Sequence, residues 1–478
     1  MTSLRELLVE VAAQAAGYRE QVAERAVFPA GVELDALRAG LGDLADAPTP
    51  APDVVRQLVE AVDPGLVGTS GPRYFGFVVG GALDAATAAD VLAVGWDQPA
   101  FNLATSPAAA IVEDVAGAWL KELLGLPDHA SFGFVTGGQG ANTVALAAAR
   151  HHVLAQAGWD VERRGLAGGP AVRVVASRER HATVDRALRL LGLGVDVVEP
   201  VAAGAQGEID VADLRRVLDA GPAGPAIVCL QAGNVNTGAV DDLSAGTAVA
   251  HEHGAWVHVD GAFGLWAAAS PTTRHLTAGL ETADSWATDG HKWLNIPYDS
   301  GYVFCADPEA HAAAMSFTAA YLTGHGQREL RTPADFVPES SRRARGFATW
   351  AALRELGRDG VAGLVERCCA LARRFADGLG AADGVDIAND VVLNQVLVGF
   401  GDDETTGRIV RAVQRSGECW MGDTTWHGRR LMRISVSNWR TSEADVDRSV
   451  EAILGAASKM QEGWLKPGEV SKIRYVHF

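Results

Sequence analysis

Residues 255–264 read AWVHVDGAFG: an apolar run that ends in a carboxylate, Asp260, followed at once by the small residues Gly261 and Ala262. A run this apolar suits a strand buried on both faces, as in a mostly parallel sheet covered by helices. At the carboxyl end of such a strand an aspartate faces the crevice where ligands bind. Buried there it needs a partner, and a protonated ring nitrogen is a good one, because the ion pair holds the proton in place. The competing reading is a helix cap.

Runs of the same kind recur on either side: AVRVVAS at 171–177, VDVVEP at 195–200, AIVCLQ at 226–231 and GYVFCA at 301–306, each separated from the next by helix-length sequence. From about residue 108 to 305 the pattern is that of an α/β layered core. The end of the chain differs. A helix over about 341–356, another after 360, short apolar runs at 393–399 and 431–438 and a final helix make a small α+β domain with an antiparallel sheet. At the other end, LRELLVEVAAQAAGYREQVAERA and two further segments, around 32–44 and 54–62, carry apolar residues at helical spacing. Three such helices make a poor core alone, so they are expected to pack on something else, such as a second subunit. The expected division is a helical segment over 1–70, a large domain over 71–340 and a small domain over 341–478.

Composition bounds the function. Of the 478 residues 48% are apolar and 21% charged, as in a folded globular protein, and the length suits more than one domain. A formal charge of −18 with no basic tract repels nucleic acid phosphates. The five cysteines lack any CxxC or zinc-site spacing, which implies no disulfide framework and no metal and suits a reducing cytoplasm. No apolar stretch is long enough to span a membrane, and the first residues lack the features of a signal peptide, so a cytoplasmic protein is expected.

Three more segments carry chemistry. In FVTGGQGANTVAL a short apolar run leads through Gly137, Gly138, Gln139, Gly140 and Ala141 into a helix pattern. Glycines at such a turn let backbone N–H groups converge on an anion at the positive end of the helix. It matches neither a triphosphate nor a dinucleotide fingerprint, and a plain tight turn remains open. In SRERHATVDRA, His181 follows a strand and precedes a helix, where it is either a ring that stacks on an aromatic cofactor or a capping or core histidine. In WATDGHKWLN, at 286–295, Lys292 lies beside His291 and between two tryptophans. An HK pair is commonly surface sequence, but the tryptophans argue against a solvated face. A lysine in an apolar crevice sheds its proton more readily and can form a Schiff base. An anion nest, a carboxylate for a ring nitrogen, a stackable imidazole and an amine nucleophile, each at a strand exit, are together the parts that pyridoxal phosphate requires.

At these residues the sequence resembles the group II pyridoxal-phosphate-dependent decarboxylases, the family of aromatic amino acid, histidine, glutamate and cysteine sulfinate decarboxylases. The marks are GPRYFGFV (71–78), FNLATSPAAAIVEDVAGAWLKELLGLP (101–127), TGGQGANTVAL, RHATVDRA, HVDGAFG, DGHKWLNIPYDSG and SRRARGFATWAALRELG (341–357). The resemblance implies a fold-type I, aspartate aminotransferase-like homodimer, with active sites at or near the subunit interface and an N-terminal segment embracing the partner. It implies pyridoxal 5′-phosphate as cofactor, and an L-amino acid losing CO2 through an external aldimine and a quinonoid. Lys292 matches the aldimine lysine, Asp260 the pyridinium partner and His181 the stacking histidine. Ala262 would lie against the cofactor ring. Gly138, Gln139, Gly140, Ala141 and His291 would serve the phosphate and cofactor, with Asn234 or Asn236 of QAGNVNTGAVDD near the 3′ oxygen or the phosphate side.

The sequence departs from the family in one consequential place. The mobile loop that carries a protonating tyrosine in the well-studied members corresponds to a region near Pro333, and no tyrosine lies between 322 and 350. Tyr321 matches a noncatalytic family position, and His325 is the nearest polar group of the loop. Without an efficient proton donor the substrate carbon could react with oxygen, giving aldehyde, ammonia and peroxide. Transamination, another lyase reaction, or a scaffold without activity are the further alternatives. Tyr74, Phe75, Trp96 and Phe101 are expected to line an aromatic or otherwise apolar substrate pocket, unless they are core or interface aromatics. Arg73 would favour an acidic substrate, and Arg433 could hold a carboxylate.

Overall fold

The computed structural model describes residues 3–29, 31–317 and 331–461. The described chain forms two compact units, each described on its own below. One comprises Gly80–Ala370 with Asn389–Gln395; the other comprises Met1–Val79, Leu371–Ala388 and Val396–Phe478. The division therefore falls near 80 and 370 rather than at 70 and 340, and the N-terminal helices group with the C-terminal sheet. The later breakpoint lies inside the helix Gly346–Gly380, whose Gly357, at φ 60°, interrupts the helical backbone close to where the sequence suggested two helices.

The larger unit is built on seven strands: β1 (Ser131–Val135), β2 (Arg173–Ser177), β3 (Val198–Val201), β4 (Ala226–Gln231), β5 (Trp256–Asp260), β6 (Ser285–Asp289) and β7 (Gly301–Cys305). Their order across the sheet is β1-β7-β6-β5-β4-β2-β3. The run from β6 to β3 is parallel, and β7 lies antiparallel to both β6 and β1. This is the mostly parallel α/β core expected. β1, β4, β5, β6 and β7 are buried along their whole length. The helix Gly138–Gln156 packs across β5, β6 and β7, and its alanines at 145 and 147–149 are essentially inaccessible. Small side chains there let the helix axis come close to the sheet, which places the helix N-terminus directly over the strand ends.

β6 was hidden in the sequence because Ser285, Thr288 and Asp289 break its apolar pattern. It is buried nonetheless, between β5 and β7. Its partners explain why: the Ser285 hydroxyl bonds the Trp256 indole and the His258 ring, and Asp289 is engaged in the site described below.

The smaller unit carries a second sheet of β8 (Val385–Ile387), β9 (Gln395–Phe400), β10 (Gly422–Trp426) and β11 (Arg429–Ser435), in the order β10-β11-β9-β8. With it go the helices Leu4–Gln21, Leu34–Leu41, Ala51–Val62, Asp403–Ser416 and Glu443–Gln461. Leu4–Gln21 opens with a capping box between Ser3 and Glu6, yet none of its residues is buried. Among the described residues no helix is long and apolar enough to cross a membrane.

Candidate active site

Parallel strands put their carboxyl ends on one edge, so residues far apart in sequence collect there. β5 ends in Asp260 and its neighbour β6 ends in Asp289. Three residues beyond Asp289 is Lys292, whose Nζ lies 2.8 Å from Asp289 Oδ2. The other oxygen of Asp289 accepts the backbone N–H of Gly138, at the start of the helix Gly138–Gln156. The aspartate thus ties the lysine to the positive end of that helix, and an anionic oxygen is shown to be accepted there. Trp286 and Trp293 are 0% and 1% exposed, whereas the Lys292 side chain between them is 22% exposed, so the amine is half-buried rather than sealed off from solvent.

The glycines at this turn are required by space. A Cβ on Gly137 would sit 2.8 Å from His291 Cε1, and one on Gly138 would sit 2.8 Å from Asp289 Oδ2. His291 accepts the Ser300 N–H at Nδ1 (3.1 Å) and turns Nε2 toward Asp289 at 3.4 Å; burial holds its pKa below the ordinary histidine value. The Gln139 amide donates to the carbonyl of Thr183 at 3.2 Å, linking the glycine turn to the segment after β2.

Asp260 is 4% exposed and well supplied with donors. Its Oδ1 accepts the N–H of Ala262 at 3.2 Å, which orders the turn after the strand, and its Oδ2 accepts Asn142 Nδ2 at 3.1 Å. His181 stands at the head of the helix Ala182–Leu190 and caps it, its Nδ1 accepting the Thr183 N–H at 3.3 Å. The capping reading of this histidine is therefore realised. Asn234 is buried at the turn after β4, where its Oδ1 accepts the N–H groups of Asn236 (2.9 Å) and Thr237 (3.4 Å).

Lys292, Asp260, His181, Ala262, His291, Asn234, Asn236 and the glycine turn therefore all belong to the larger unit and cluster at strand exits or the helix start that follows β1. Of the pocket aromatics, Trp96 and Phe101 are in the same unit. Trp96 is 52% exposed and meets Phe347 edge-on. Tyr74 and Phe75 lie in the smaller unit, stacked on Trp420 and edge-on to Phe375, as core aromatics of that unit. Arg73 is likewise engaged there, donating to the Glu418 carbonyl at 2.7 Å and facing Asp445 at 3.4 Å. Arg433 is half-buried in that unit, and desolvation pushes its pKa down to about 10. Tyr321 and His325 lie outside the described residues.

Asp289, Asn142 and Thr183 were not singled out in the sequence. Asp289 had a local signal, its i,i+3 spacing to Lys292. The other two reveal themselves only through contacts between distant segments.

Residues 40–400 match the model of the pyridoxal-dependent decarboxylase conserved domain. The chain belongs to the pyridoxal-dependent decarboxylase family. Its cofactor is pyridoxal 5′-phosphate, and the donor set suits that group: a glycine turn without room for side chains, a helix N-terminus already taking an anionic oxygen, an amine, and a buried carboxylate. This decarboxylase is 27% identical over 437 residues to tryptophan decarboxylase 1 of Oryza sativa subsp. japonica, covering 85% of the chain and 84% of that protein. It is equally 27% identical, over 419 residues and 82% of each chain, to 4-hydroxyphenylacetaldehyde synthase of Rhodiola rosea. Among solved structures, Oryza sativa TDC with PLP and tryptamine superposes with a TM-score of 0.89 at 25% identity, covering 96% of this chain and 98% of that one. The fold is thus that of a fold-type I enzyme, and the decarboxylase acts on an amino acid with the help of pyridoxal phosphate.

Proposed function

We propose that the enzyme removes CO2 from an L-amino acid with an aromatic side chain and releases the amine, using Lys292, Asp260 and His181. The observation that carries this reading is the arrangement at the strand ends: Lys292 beside the N-terminus of the helix Gly138–Gln156, with Asp260 closing the adjacent strand β5. When bound, pyridoxal phosphate supplies an electron sink for the pair left behind by departing CO2. In this reading Lys292 offers the amine that attaches the cofactor, and the backbone N–H groups at the glycine turn receive its phosphate. Asp260, kept ready by the Ala262 and Asn142 donors, holds a proton on the ring nitrogen. His181, its Nδ1 fixed by the Thr183 N–H, and Ala262 would hold the cofactor ring, with Asn234 and Asn236 shaping the loop after β4.

An aromatic substrate is supported by the relatives, a tryptophan decarboxylase and a tyrosine decarboxylase among them. We also propose a homodimer in a cytoplasmic setting. Leu4, Leu8 and Val9 of the first helix are 72%, 53% and 66% exposed, and Val91, Leu92 and Val94 of the larger unit are 61%, 51% and 63% exposed. Surfaces this apolar ask to be covered.

A second reading has its own support. No tyrosine lies between 322 and 350, and the aldehyde synthase shares the same 27% identity with this chain as the tryptophan decarboxylase, over a slightly shorter stretch. With O2 and water as co-reactants the products would then be aldehyde, CO2, ammonia and peroxide. Assaying the purified, cofactor-loaded protein against the common L-amino acids, with CO2, amine, ammonia and peroxide followed together, separates the two. CO2 with an equal amount of amine and no ammonia supports the amine product. CO2 with ammonia and peroxide supports the aldehyde, and absence of CO2 from every substrate overturns both.

A further inference from the structure

Beneath Asp260 runs a chain of buried hydrogen bonds whose direction is fixed by its two ends. An ionised carboxylate only accepts, so the Asn142 amide presents Nδ2 to Asp260 Oδ2 (3.1 Å) and to Thr183 Oγ1 (3.0 Å). Its Oδ1 is left for His258 Nε2 at 2.9 Å, which must therefore carry the proton. Burial pushes the His258 imidazole down to about 4, so the ring is neutral and its Nδ1 is an acceptor. That nitrogen accepts a hydrogen bond from the Ser285 hydroxyl (3.0 Å), and Ser285 Oγ in turn accepts from Trp256 Nε1 at 2.9 Å, an indole N–H that can only donate. Trp256, Ser285, His258 and Asn142 are 4%, 0%, 0% and 0% exposed, so water does not compete for any link.

The chain has a second branch. Having accepted from Asn142, the Thr183 hydroxyl donates its own proton, and His181 Nδ1 at 2.8 Å is nearer than Asp260 Oδ2 at 3.5 Å. Nδ1 of His181 also receives the Thr183 N–H. With two donors on Nδ1, the proton of a neutral His181 resides on Nε2.

We infer that His258 is a positioning residue for the cofactor: by orienting the Asn142 amide it keeps a donor on Asp260, so that this carboxylate stays turned to the ring nitrogen, and through Thr183 it keeps the His181 proton on Nε2. The inference rests on the roles proposed above for Asp260 and His181. It adds that these two residues, from different segments, are set by one asparagine amide whose orientation is dictated one strand deeper, by a histidine, a serine and a tryptophan.

Two substitutions at 258 separate orientation from packing. In His258→Gln the side-chain amide nitrogen can stand where Nε2 stands and still donate to Asn142. In His258→Asn the shorter amide reaches only the Nδ1 position, and that donor is lost. The readouts are the Kd for pyridoxal phosphate of the full chain and the 15N shift of the cofactor's labelled ring nitrogen, with thermal unfolding as the check on folding. His258→Gln is expected to bind within about twofold of the native chain, and His258→Asn about tenfold more weakly, with the 15N signal moving toward the unprotonated position. Asn142→Asp, which sets a second carboxylate against Asp260, should weaken binding further.

Equal Kd values and equal 15N shifts for the Gln and Asn variants would overturn the proposal. If His258→Asn does not fold, Ser285→Ala takes its place: it removes the hydroxyl that pins Nδ1, and an unchanged Kd and 15N shift would likewise overturn it. Asp260→Asn is run alongside. If that variant leaves the ring nitrogen protonated, the role given to Asp260 fails and the inference with it; if it does not, a null result at 258 counts against His258 alone.

Discussion

Lys292 Nζ and Asp289 Oδ2 are 2.8 Å apart, and the same aspartate caps the helix that begins at Gly138. The carboxylate therefore holds both the amine and the helix N-terminus proposed for the cofactor's two ends. A phosphate arriving at this turn meets a fixed negative charge that lies 2% exposed, where screening by solvent is weak.

Asp289→Asn keeps an oxygen that can accept the Gly138 N–H but removes that charge. It is expected to bind pyridoxal phosphate about threefold to tenfold more tightly, with a weaker dependence on ionic strength. Titration of the apo protein at two salt concentrations checks this. Weaker binding would mean that Asp289 serves the cofactor by holding Lys292 in place, rather than opposing the phosphate.

Stability should fall in mild acid because two imidazoles are buried in neutral form. His258 is pushed down to about 4 by burial, and His311 to about 3 by burial and by Arg331. His311 donates from Nε2 to the Phe336 carbonyl and meets the Ser131 hydroxyl at Nδ1. A histidine with a depressed folded-state pKa binds its proton first in the unfolded chain. Its contribution is thus complete above the unfolded value near 6.5 and is lost as pH drops toward the folded value. Over this window His258 contributes up to about 3 kcal/mol and His311 up to about 5 kcal/mol. Asp241 works the other way: burial raises it to about 7, so its penalty is relieved as pH falls below that, which offsets part of the loss. Urea unfolding at pH 7, 5.5 and 4.5 should show a declining midpoint, and His311→Gln should flatten the decline. A midpoint that rises across this range would contradict the assignment.

Gly301 begins β7 directly against the glycine turn. A Cβ there would come within 2.4 Å of Gly137 Cα and within 2.8 Å of its N and C, which are backbone atoms with no rotamer to change. Gly301→Ala should therefore displace the turn, costing about 1–3 kcal/mol or more in stability and loosening the cofactor along with it. Thermal unfolding of the apo protein and a cofactor titration test the two consequences separately. An alanine variant native in both would mean that the turn can shift without cost.

Much of this site was visible in sequence because three of its members, Asp260, His181 and Lys292, follow or precede recognisable strand or helix patterns. The sheet was legible wherever strands were continuously apolar, as in β4, β5 and β7. β6 was not, since its serine, threonine and aspartate look like a loop until their partners from β5 and the glycine turn are known. The same limit hid Asn142, Thr183 and His258. Asn142 meets Asp260 across 118 positions and His258 across 116, and no local spacing announces a hydrogen bond between residues so far apart.

Glu113 shows what such distant pairing does for stability. It lies fully buried in the helix Pro107–Leu124 and is met by two arginines: Arg342 Nη2 bonds both of its oxygens at 2.8 Å, and Arg331 bonds Oε1 at 3.2 Å. Arg342 is itself 2% exposed, so removing the carboxylate strands a buried cation. Glu113→Ala is expected to cost about 3–5 kcal/mol, the penalty of an uncompensated charge rather than the worth of a hydrogen bond. Glu113→Gln leaves an acceptor of the same size but no charge, so it should destabilise nearly as much. If the charge is what matters, the double variant Glu113→Gln with Arg342→Met should recover much of the loss, and a chemical denaturation cycle over the four proteins measures that recovery. A double variant no more stable than Glu113→Gln alone would show that the cost lies in lost packing or hydrogen bonding instead.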